Sequence, residues 1–83
     1  MDKRDIGITV STFIRKNFLF DEHANINEKD SLLGTGTVDS TGILELICYL
    51  ETTYKLKFQD DELIADNFDS IERISDFICR KLS

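Results

Sequence analysis

The sequence predicts an all-α fold, a small bundle of three longer helices and one short helix with a long first loop. Three observations predict it. There is no proline. Three of the four glycines fall between Gly34 and Gly42, so the breakers are concentrated in one connection. Apolar residues elsewhere recur at helical rather than alternating spacing. The 83 residues form one domain, residues 1–83, because a chain this short builds a single core.

The first helix runs from about Asp5 to Phe20. Ile6, Val10, Phe13, Ile14 and Phe18 share a face, with Arg15 and Lys16 opposite them. Asp2 and Asp5 near its start and the two bases near its end carry the signs that the helix dipole favours. Residues 21–38, "DEHANINEKDSLLGTGTV", lack sustained periodicity. They predict a long ordered loop pinned by Ile26, Leu32, Leu33 and Val38.

A second helix spans Ser40 to about Lys55, with Ile43, Leu46, Ile47, Leu50 and Tyr54 on its core face. "DDELIADN" predicts one or two helical turns opening on Asp60 or Asp61. The last helix opens at "FDSIE", where Asp69 is the expected cap and Glu72 its capping-box partner. It continues through Ile71, Ile74, Phe77, Ile78 and Leu82.

Charge narrows the choice of partner. Sixteen acids against ten bases give a net charge of −6, which argues against nucleic acid, whose binding draws on Lys and Arg. Residues 39–72 alone hold nine acids and two bases, so a basic protein partner is the natural complement. Cys48 and Cys79 form no metal or redox motif. No run is apolar and long enough to span a bilayer, and none resembles a signal peptide, so a reduced, cytoplasmic compartment is expected.

The run "DSLLGTGTVDSTGILELICYLETTYKLKF" followed by "DDELIADNFDSIERISDFICRKL" resembles the acyl carrier proteins and their relatives, the peptidyl and aminoacyl (D-alanyl) carriers. The resemblance covers about Ile6 to Leu82. It rests on Asp39-Ser40 opening an acidic-apolar helix, on the Leu-Leu-Gly loop upstream and on the Asn-Phe-Asp-Ser-Ile start of the last helix.

That likeness implies a covalent 4′-phosphopantetheine, derived from coenzyme A, on Ser40, with Asp39 as its motif neighbour. The thiol of that group holds an acyl or aminoacyl cargo as a thioester. The function implied is non-catalytic delivery in fatty-acid, polyketide, nonribosomal-peptide or related biosynthesis. The partners implied are a phosphopantetheinyl transferase, a loading ligase and downstream synthases or transferases.

A serine in the first turn of a helix supports this independently, because a phosphodiester there meets backbone amides that lack intrahelical partners. Gly36 and Gly42 are expected to keep the surroundings open to an enzyme. The plain structural reading is that Asp39 or Ser40 only caps the helix.

Thr41, Leu44, Glu45, Cys48 and Glu51 form a second stripe on helix two, part apolar and part acidic. By resemblance this is the partner-docking face. The alternative is that Leu44 packs under the loop and Cys48 is buried. Thr41 and Gly42 depart from the family pattern, which usually has an apolar residue after the serine, and point to a specialised carrier with a dedicated partner.

No catalytic residue and no metal site are expected. His23 sits among acids with no triad order around it. "DEHANINEKDSL" lacks the glycine and glutamate of a calcium loop at its sixth and twelfth positions. The alternative function is an unmodified acidic helical module that binds a basic protein. A monomer is expected.

Overall fold

The computed structural model describes residues 2–21 and 23–82. Helix α1 covers Lys3–Ile14, α2 Ser40–Tyr54, α3 Ala65–Phe68 and α4 Ile71–Leu82. No strand occurs among the described residues, so the chain is an all-α bundle of three longer helices and a short one. Its radius of gyration, 11.7 Å, equals the roughly 12 Å expected of a compact domain of this length, so the long loop is folded against the helices.

Helix α1 starts at Asp2, whose carboxylate accepts from the Asp5 amide at 2.9 Å. Ile6, Val10 and Ile14 are fully buried along one face. They meet Ile71, Ile74 and Ile78 of α4, buried to the same degree. Gly7 allows the two helices to come close: a Cβ there would stand 3.3 Å from Ser75 Oγ. Ser75 in turn donates to the Ile71 carbonyl at 2.7 Å, which satisfies its buried hydroxyl.

After Ile14 the helix widens into a π-turn, Arg15–Leu19, and stops at Phe20 in the left-handed conformation (φ 53°). The Asn17 side-chain amide donates to the Phe13 carbonyl at this point, competing with the α ladder. Arg15 is not a solvated base on the outer side. It is half-buried, and its Nε donates to the Ala24 carbonyl at 2.7 Å, bracing the loop.

The loop is pinned from inside by Leu32 and Val38, both buried, and by half-buried Ile26. Leu33, expected to join them, is exposed. The loop is also stitched to the start of α4. The Leu32 amide donates to the Asp69 carbonyl at 2.6 Å, Ser31 Oγ to the Asp69 carboxylate at 2.7 Å, and the Glu72 amide to the Glu28 carbonyl at 3.0 Å.

Asp69 is therefore not the cap of α4. Its carboxylate is taken by Ser31, and Ser70 Oγ accepts from the Arg73 amide instead, at 3.1 Å. Adjacent Asp and Ser are equally good caps, and a contact 38 residues away in sequence decides between them.

The short third element is split. A 3₁₀ turn, Asp60–Glu62, is followed by Leu63, by extended Ile64 and then by the single turn of α3. Phe58 and Phe68 bury on either side of this segment. They pack with Phe77 of α4 in a ring trio whose centroids lie 5.3 to 5.6 Å apart.

Candidate functional site

Asp39 is the N-cap of α2. It has extended backbone, and its Oδ1 accepts from the Gly42 amide at 2.7 Å. Its carbonyl receives the Ile43 amide at 2.9 Å. Ser40 is thus the first residue of the helix and is relieved of the capping task. Its side chain is exposed. The first amides of a helix have no intrahelical acceptor, and the dipole favours an anion there.

The start of α2 is supported from behind through Gly42. A Cβ at that position would stand 2.7 Å from Val38 Cγ1 and 2.8 Å from Phe18 Cε1. Gly42 is buried and lets Val38 and the π-turn pack on the helix; it does not open the surface to an enzyme. Gly36 is different: its φ is +76°, and nothing lies within 4 Å of a Cβ built on it. The backbone there requires glycine, and the space is open.

Beside Ser40 runs a groove of about 280 Å³, lined by Leu33 of the loop, Ile43, Leu44 and Ile47 of α2, Leu63 and Ile64, and Phe68 of α3. Among the described residues of that lining, Ser40 is the only polar one. Four of the groove residues leave much of their surface in solvent: Leu44 61%, Ile64 50%, Leu63 41% and Leu33 37%. An apolar rim around a single hydroxyl is a costly surface unless something covers or fills it.

On the second stripe of α2, Thr41, Leu44, Glu45 and Cys48 are exposed. Leu44 does not pack under the loop, and Cys48 is not buried. Glu51 stands apart from them. It is half-buried, and its Oε2 accepts from the Phe58 amide at 3.0 Å. The cause is the end of α2: Lys55 takes the left-handed conformation (φ 54°) and turns the chain back so that Phe58 can bury, and the Phe58 N–H then needs an acceptor.

Leu33, Leu63 and Ile64 are site residues that spacing along α2 does not reveal. Two adjacent large apolar residues inside the acidic run "DDELIAD" carry a readable signal, since one short turn cannot bury both against the same core. His23 is exposed, and its amide donates to Asp21 Oδ1 at 3.0 Å. No cluster of three metal-ligating side chains occurs among the described residues. No helix among them is long and apolar enough to cross a membrane.

No family model matches the chain, and no curated protein matches it either.

Proposed function

We propose that the chain is an acyl carrier protein. In this reading Ser40 Oγ carries 4′-phosphopantetheine as a phosphodiester, and the thiol of that arm holds cargo as a thioester. The protein does no chemistry itself. It tethers the cargo and raises its local concentration at each enzyme that docks. A phosphopantetheinyl transferase, a loading ligase and a downstream synthase or transferase are its partners, the cytoplasm its place, and a monomer its resting state.

One observation carries the reading: an exposed serine, freed from capping by Asp39, stands at a helix N-terminus on the lip of an apolar groove. The unpartnered amides of the first turn suit the phosphodiester, although no Lys or Arg lines the groove to add to them. An apolar lining suits an acyl chain better than a charged aminoacyl group, which would lose its hydration there. Leu44 with Thr41, Glu45 and Cys48 supplies the face on which basic partner surfaces dock. The same exposed rim fits the rival reading, an unmodified module that binds a basic protein through α2.

Intact-mass measurement separates the two. After co-expression with a broad-specificity phosphopantetheinyl transferase, the chain gains one phosphopantetheinyl group, and Ser40→Ala does not. An unchanged mass under conditions that modify a control carrier favours the unmodified module.

A further inference from the structure

The lip of the groove opposite α2 is made by Leu63 and Ile64, and apolar packing covers only about half of their surface. Both residues are about half exposed, whereas Phe58 and Phe68 on either side are buried. Between those anchors, the backbone bonds of the 3₁₀ turn hold residues 59–64 together, and the side-chain tie from the segment to α4 is one carboxylate. Glu62 Oε1 accepts from the Gln59 amide at 2.7 Å. Lys81 Nζ of α4 reaches the same carboxylate at 2.9 and 3.1 Å. The two side chains of this pair are mostly buried, unlike those of Lys3 and Asp76, which pair at 2.8 Å while about half exposed.

Lys81 also lies over the Phe58 and Phe77 rings, 5.8 and 6.0 Å from their centroids, so its ammonium is pre-positioned by the aromatic anchor. The Gln59 amide and Lys81, in that order, hold the Glu62 carboxyl below its usual range. The Asn67 side chain donates to the Glu62 carbonyl at 2.9 Å and so connects the catch to α3.

We propose that residues 59–64 are a latched flap: the Glu62–Lys81 ion pair holds Leu63 and Ile64 over the groove beside Ser40, and releasing that one contact widens the groove without opening the core between α1 and α4. The flap swings between the buried Phe58 and Phe68. A ligand larger than the groove's volume of about 280 Å³ must push Leu63 and Ile64 outward, so its entry and the latch work against each other. This device does not depend on whether Ser40 is modified, and it is tested on the unmodified chain.

Amide hydrogen exchange and binding of the neutral apolar dye Nile red are measured at neutral pH for the wild type, Glu62→Gln and Lys81→Met, with Asp61→Asn as a control. Both latch variants are expected to exchange the Gln59, Glu62 and Leu63 amides at least about tenfold faster, while the Leu46 and Ile74 amides keep their wild-type rates. Nile red emission rises severalfold in both, and adding Leu44→Asp removes the gain. The control matches the wild type. Unchanged exchange at residues 59–63, equal acceleration throughout the chain, or faster local exchange with no gain in dye binding would each overturn the proposal.

Discussion

The two sides of the bundle use apolar residues in opposite ways. Between α1 and α4, Ile6, Val10, Ile14, Ile71, Ile74 and Ile78 are closed off from water, and the helices approach over Gly7 and Ser75. Around Ser40, Leu33, Leu44, Leu63 and Ile64 gather about one groove but are left open. The first region stabilises the fold, at roughly 1.5 to 3 kcal/mol per buried aliphatic side chain. The second gives up part of that gain and keeps an apolar surface available.

The sharpest way to break this contrast is a truncation on each side. Ile74→Ala should cost about 2 to 5 kcal/mol, read as a lowered urea midpoint, because the cavity it leaves is walled by α1. Gly42→Ala sits on the boundary, where the closed side supports the open one. It should cost about 1 to 3 kcal/mol, since Val38 and Phe18 must both move, and a fully neutral result would remove the buttress assigned to Gly42.

Leu44→Ala, on the open side, should leave stability within about 0.5 kcal/mol of wild type. The same change should slow modification of Ser40 by a phosphopantetheinyl transferase roughly tenfold, as expected of a central interface residue.

Acid titration is the mildest test. The folded Glu62 carboxyl titrates below its ordinary value of 4.5 because of the Gln59 amide and then Lys81. Its stabilisation is therefore fully present above that ordinary value and fades as pH falls through the lower, folded one. Urea midpoints between pH 7 and pH 3 should drop less steeply for Glu62→Gln than for the wild type.

Periodicity made the closed side legible. The buried faces of α1, α2 and α4 follow from the spacing of Ile, Val and Leu, because a helix that buries one stripe has to repeat it. The open side was legible in part. Asp39 and Ser40 at the head of α2 were readable, and so was an exposed stripe containing Leu44. Which of two adjacent caps serves α4, why Glu51 turns away from the stripe, and why position 42 is glycine all depend on residues outside the helix concerned: Ser31, Phe58 and Phe18. The π-turn that places Phe18 has no signature in apolar spacing. The far wall of the groove escaped because Leu63 and Ile64 lie outside any regular element.

The stitches between the loop and the head of α4 also impose an order of assembly. The Leu32 amide needs the Asp69 carbonyl, and the Glu28 carbonyl needs the Glu72 amide, so each bond closes a loop spanning roughly half of the chain. During synthesis, Val38 can already pack on Gly42 of α2, but the bonds of Glu28 and Leu32 to the head of α4 cannot close until residue 72 has been added. The loop that leads into Ser40 is therefore fixed at its far end only once the head of α4 is in place. Substitutions that break those bonds to α4 would loosen residues 28–32 while leaving the Asp39 cap of α2 in place.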